Sequence, residues 1–160
     1  HFIQAWPTLN RQDGQGETAC EAMLMASWFG GLSLSMAGLG VIHGIAGELG
    51  AIKDYHHGEV CGRLLLPFLD LLESSDHPQQ RALMAELDRA LFGAAHSEPA
   101  RYLAQWLQEQ AIFPFWREPQ PLSAEEVSWI VTRANSKNAL VDYSETQMRE
   151  MLAQAYRCAV

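Results

Sequence analysis

Positive charge is scarce in this chain. Lys plus Arg number 11 against 19 Asp plus Glu, a formal net charge of −8 over 160 residues. Such a field repels a phosphate backbone and no basic stripe offsets it, so nucleic acid is excluded as a partner. Cysteine is scarce too. Cys20, Cys61 and Cys158 are odd in number and far apart, which fits a reducing, cytoplasmic compartment better than a disulfide framework. An unbroken apolar run is missing. The longest such stretch, Ala22 to Ile52, is interrupted by seven glycines, His43 and Glu48. A membrane span needs about 20 mostly apolar residues, so the expectation is a buried helix pair and no membrane anchoring. No basic region followed by an apolar core opens the chain, so no signal peptide is expected. The chain starts at His1 without an initiator Met, as a fragment or a processed chain would. Neither a glycine-rich phosphate loop nor strand–helix alternation is present, so no dinucleotide site is expected within it.

What remains is globular. Hydrophobic residues make up 48% and charged residues 19%, and a chain of this length buries roughly 70% of its unfolded surface as one domain. Residues 1–16 carry Gln, Asn, Asp, Gly and Pro without a period and read as an irregular lead-in; residues 17–160 read as one helical domain. Thr18 with Glu21, Ser123 with Glu126, and Ser144 with Gln147 each have capping-box spacing, in which a hydroxyl and a later side chain satisfy each other's backbone donors. Ser75 ahead of Pro78 and Ser97 ahead of Pro99 mark two further starts, since proline is tolerated in a first helical turn. Helical spacing follows in Leu83, Leu87 and Leu91, in Leu103, Trp106 and Leu107, in Val127, Ile130 and Val131, and in Met148, Met151 and Leu152. Phe113 to Trp116, with Pro114, Pro119 and Pro121, read as an extended connection. No segment alternates with period 2 for long. The predicted fold is all-α, about seven helices.

One stretch is dense in chemistry: AGLGVIHGIAGELGAIKDYHHGEVCGRLLLP, Ala37 to Pro67. Glycine inside a helix costs ~1 kcal/mol relative to alanine, so Gly40, Gly44 and Gly47 need a reason. Gly40, His43, Gly47 and Gly50 share one face at steps of three and four, and a bare face permits close approach of a helix, a cofactor or a substrate. By spacing alone, His43 reads more readily as a hydrogen-bonded core histidine than as a ligand. His56-His57 alone would be a solvated loop pair. Yet His57 starts a helix running through Val60, Leu64, Leu65 and Phe68. There the N-terminal dipole disfavours a cation and favours the neutral imidazole that metals require. Pro67 is expected to kink or end that helix. Cys61, with Arg63 as the cation beside it, reads as a small buried filler. Trp28, Trp106, Trp116 and Trp129 read as core or interdomain surface.

Taken together, Gly38-Leu39-Gly40, His43, Leu49-Gly50, His57-Gly58 and Leu64-Leu65-Leu66-Pro67 resemble the iron-containing (group III) alcohol dehydrogenases. The fourteen-residue step from His43 to His57 agrees with that family. Ala22 to Met36 and Tyr143 to Tyr156 are compatible with it. The resemblance implies the helical, dehydroquinate synthase-like C-terminal domain of a two-domain NAD(P)-linked oxidoreductase acting on small alcohols or aldehydes. In that family a divalent ion, Fe²⁺ or in some members Zn²⁺, polarises the alcohol or carbonyl oxygen for hydride transfer. His43 and His57 would be two of its four protein ligands.

Three departures narrow what the resemblance implies. The family's other two ligands, an Asp and a His, lie well upstream, and the chain ahead of His43 is too short to reach them. The α/β nucleotide-binding domain, which would be the partner of this one, is likewise outside this sequence. Many members carry a second His one turn after the first ligand, where this chain has Gly47. Asp54, His56 and Glu59 are near enough in sequence to be considered as substitutes, but Glu59 should point around the helix away from His57. The chain alone is therefore expected to be inactive and to bind metal weakly or not at all. An apolar face left without its nucleotide domain could drive homo-oligomer formation. Two other readings stay open: a non-catalytic helical structural or interaction domain, and a dehydroquinate synthase-like relative, suggested by His57-Gly58-Glu59.

Overall fold

Capping chemistry and helical spacing account for most of the elements. The computed structural model describes residues 1–11, 16–110, 119–136, 138–139 and 142–156. Among them lie eight helices: α1 (Phe2–Arg11), α2 (Gly16–Ala37), α3 (Val41–Ile52), α4 (His57–Ser74), α5 (Pro78–Phe92), α6 (Pro99–Glu109), α7 (Ala124–Arg133) and α8 (Glu145–Ala155). Both later capping boxes form: Ser123 accepts from the Glu126 N–H and Ser144 from the Gln147 N–H, with the reciprocal bonds in place. Pro78 and Pro99 open α5 and α6. The Phe113–Trp116 part of the expected connection lies outside the described residues, as does Cys158.

Helix α4 is the axis of the fold, and two cores meet along it. Val41, Ile45 and Leu49 of α3 stand at i, i+4 and i+8, and they bury against Val60 and Leu64 of α4. Ile130 and Val131 of α7 and Met151 and Leu152 of α8 close this first core. Leu69 and Leu72, further along α4, bury with Met84 of α5 and Leu103 and Leu107 of α6 in a second. Each such side chain contributes about 1.5–3 kcal/mol on burial, so α3 and the first half of α4 are held firmly against one another. The start of α7 is tied to the end of α3: Lys53 Nζ lies 2.7 Å from Glu126 Oε1, and the Gln120 N–H donates to the Tyr55 hydroxyl at 2.6 Å.

Several expectations are corrected. Phe2–Arg11 is helical, not an irregular lead-in. Its pattern is obscured by Pro7, but Ala5 is buried, Phe2 packs edge-on to Trp106, and Trp6 Nε1 donates to the Gln110 carbonyl at 3.1 Å; tertiary docking outweighs weak local propensity. With this helix the described residues hold eight, in keeping with the expected all-α bundle of about seven. Thr18 lies inside α2 and caps nothing, because α2 begins at Gly16. Pro67 does not end α4, which runs on to Ser74: Pro67 is itself buried, and the apolar contacts on either side of it outweigh one lost backbone bond. The stretch Ala22 to Ile52 is not a buried pair. Helix α3 is core, but α2 leaves Leu24, Trp28, Phe29 and Met36 in solvent. No single described helix is long and apolar enough to cross a membrane; α2 and α3 pass that test only together, bent by 101° at their break.

The glycines also sort differently from expectation. A Cβ at Gly44 would strike the Asn135 backbone, so α3 and the segment after α7 approach closely there. Gly40, Gly47 and Gly50, which share the His43 face, have open space where a Cβ would stand. The bare face exists, and no described residue fills it.

Candidate metal centre

Helices α3 and α4 bring two of the sequence-predicted residues together. His43 sits in the first turn of α3 and is half-buried; His57 is the first residue of α4, exposed, with His56 as the N-cap. His43 Nδ1 and His57 Nε2 stand 3.0 Å apart, and the two rings stack at 5.2 Å with an interplanar angle of 24°. Burial, and then the charge of His57, hold the His43 imidazole below its ordinary pKa. Both influences favour the neutral ring, the form that offers a lone pair.

A third donor joins them. Cys61 Sγ lies 3.5 Å from His57 Nε2 and 3.7 Å from His43 Nδ1, and the three donor atoms all fall within 4.8 Å of one another. Burial pushes the Cys61 thiol pKa up, so without a cation beside it the sulfur keeps its proton. The expectation of a plain buried filler is thus only partly met: Cys61 does pack against the first core, but its sulfur points at the histidine pair. The signal was available in the spacing, because His57 and Cys61 are four residues apart and share one face of α4.

The donor set can be tested against a divalent ion. Donors on one tetrahedral zinc, with Zn–N near 2.0–2.1 Å and Zn–S near 2.3 Å, stand about 3.4 Å apart for two nitrogens and about 3.6 Å for nitrogen and sulfur. Both sulfur separations match. The nitrogen pair at 3.0 Å is shorter, and is equally the length of an imidazole–imidazole hydrogen bond in which one ring donates and the other accepts. Two imidazole nitrogens and a cysteine sulfur gathered this closely fit a divalent ion of intermediate softness.

The remaining candidates are elsewhere. Glu59 Oε1 accepts from Arg63 Nε at 3.2 Å and from its terminal nitrogen at 3.0 Å, around the helix from His57. Asp54 and His56 do not belong to the donor group found among the described residues. An apolar cavity lined by Gly40, Val41, Phe68, Leu83 and Tyr143 opens at the start of α3, and none of the three donors lines it. Trp28 and Trp129 are exposed, Trp106 packs on the second core, and Trp116 lies outside the described residues.

The comparison with known families decides what this all-α architecture is. The model of the Fe-containing alcohol dehydrogenase family, C-terminal, matches residues 6–157. The chain belongs to this family. No curated protein and no solved structure matches it. As a C-terminal domain of the iron-containing alcohol dehydrogenases, it implies a separate N-terminal domain in full-length members. Family membership also makes it part of an alcohol dehydrogenase-type enzyme, in a family that uses a metal and NAD.

Proposed function

We infer that this chain is the metal-holding, substrate-side half of an NAD(P)-linked alcohol dehydrogenase or aldehyde reductase. The observation that carries the reading is the pair of ring nitrogens from α3 and α4, 3.0 Å apart. A divalent ion in such a site supplies Lewis acidity to an alcohol or carbonyl oxygen. His43 and His57 would hold it. Their backbone positions are fixed by the first core, in which Ile45, Leu49, Val60 and Leu64 are fully buried, so the pair is preorganised rather than assembled on binding. The open face of Gly47 and Gly50 beside His43 leaves room for a substrate or a nicotinamide ring. The nucleotide site itself belongs to the N-terminal domain.

The reading is tested in two steps. Titration calorimetry of the chain with Zn²⁺ and Fe²⁺ is expected to show uptake that His43→Ala and His57→Ala remove; uptake indifferent to both overturns it. The chain alone is expected to turn over no alcohol with NAD(P)⁺. Joined in frame to a nucleotide-binding domain of the family, it is expected to show turnover that a chelator abolishes. A second reading, a helical domain that kept the fold without the chemistry, draws on Gly47, where many relatives place a histidine. Calorimetry without any uptake favours it.

A further inference from the structure

We propose that Cys61 is a metal ligand, so that this domain by itself supplies a three-donor site, His43 Nδ1, His57 Nε2 and Cys61 Sγ, with a zinc-class ion as its occupant. The proposal rests on the reading that His43 and His57 hold a metal and goes beyond it in donor number, donor chemistry and ion preference. Two histidines alone make a weak shell. Three protein donors with an open fourth position make the ordinary stoichiometry of a catalytic zinc site, and His₂Cys is a workable set for it.

The geometry favours ligation over chance proximity. His57 and Cys61 lie one turn apart on α4, so their donors are held on one helix face. His43 reaches them from α3, which buries four residues against the same core. The sulfur separations of 3.5 and 3.7 Å bracket the tetrahedral value of about 3.6 Å. Among the described residues no carboxylate belongs to the donor group, and Glu59, the nearest acid in sequence, turns to Arg63. The overall charge of −8 also favours a cation. When the ion binds, the Cys61 S–H bond breaks heterolytically. Sulfur keeps the electron pair and donates it to the ion, the proton passes to solvent, and nothing is oxidised or reduced. A thiolate is a soft donor and tilts the site toward Zn²⁺ and Co²⁺ over Fe²⁺ and Mg²⁺.

The test uses the full chain carrying Cys20→Ser and Cys158→Ser, so that Cys61 is its remaining thiol. Titration with Co²⁺ is expected to develop a near-ultraviolet sulfur-to-cobalt charge-transfer band that saturates at one ion per chain and is bleached by Zn²⁺. Cys61→Ser is expected to abolish the band and weaken Zn²⁺ binding by roughly tenfold or more, with far-ultraviolet circular dichroism unchanged. It should also narrow the preference for Zn²⁺ over Fe²⁺ and remove the proton released per Zn²⁺ bound. The band in the parent chain is informative even if a variant folds poorly. Metal uptake that needs His43 and His57 but shows no band and ignores Cys61→Ser overturns the thiolate ligand and leaves the two-histidine reading standing. Uptake indifferent to all three residues, or no uptake, overturns both.

Discussion

Tyr156 closes the first core with a hydroxyl that has no hydrogen-bond partner among the described residues, although the residue is only 3% exposed. Its ring packs on Tyr55 at 5.7 Å and lies beneath the Arg63 guanidinium at 5.9 Å. Burial drives the phenol far above its ordinary pKa, so it stays neutral. A buried hydroxyl left unpaired costs about 1–3 kcal/mol. Tyr156→Phe keeps the ring and removes the orphan, and is expected to leave stability unchanged or raise it by about 1 kcal/mol in urea unfolding. A clear loss would reveal a partner. Two carboxylates act in the opposite sense. Asp88 is 2% exposed; burial would raise its pKa, but bonds from the His96 N–H at 2.6 Å and the His96 ring at 2.7 Å outweigh this and hold it low. Glu126 is held low chiefly by Lys53 and then by Ser123. With folded values below the unfolded ones, both contribute stability that is complete above about pH 4–5 and lost as pH falls through the folded values. The urea midpoint should therefore drop between pH 6 and pH 3, and by less in Asp88→Asn and Glu126→Gln. At this scale His43 and His57 were legible because fourteen residues and flanking glycines form a pattern. Cys61 was legible only in part: its four-residue step from His57 was there to read, but its nearness to His43 depends on α3 and α4 being side by side.

Helix α3 makes the next prediction, through two glycines three residues apart. Gly44 faces the Asn135 backbone with no room for a methyl group, whereas Gly47 is exposed and faces open space. Gly44→Ala overpacks that contact and should cost about 1–3 kcal/mol. Gly47→Ala removes only the helix penalty of glycine and should gain up to ~1 kcal/mol. Thermal or urea unfolding of the two variants should move in opposite directions, and equal shifts would contradict the close approach at Gly44. Composition could not separate these positions, since both are glycines in one helix; only the path of the chain after α7 does. The capping boxes of α7 and α8 were legible because their chemistry is local. Helix α1 was not, because Trp6 and Phe2 are ordered by α6, about a hundred residues away in sequence. Pro67 misled for a related reason: α4 carries both cores, and a single missing donor does not break a helix anchored on both sides of it.

The whole molecule is asymmetric in what it covers. Helix α4 is wrapped by α3, α5, α6 and α8, while α2 packs chiefly on α1 and shows most of its side chains to solvent. Leu24, Trp28 and Leu32 stand at i, i+4 and i+8, with Met25 and Phe29 beside them, and all five are exposed, Trp28 at 64%. A run of this kind over a 22-residue helix is a larger apolar face than monomeric proteins ordinarily leave in water. Apolar composition marked this segment as one to be covered, but hydrophobicity does not say by what, and the expectation of a buried pair failed there. In the absence of other chains the face should be shed by association between copies. Light scattering of the isolated chain is expected to show mass rising with concentration through the micromolar range. Leu24→Gln combined with Trp28→Gln is expected to return it toward the monomer mass without loss of helical circular dichroism, since neither side chain contributes to a core. A concentration-independent monomer in the parent chain would show that water tolerates this face.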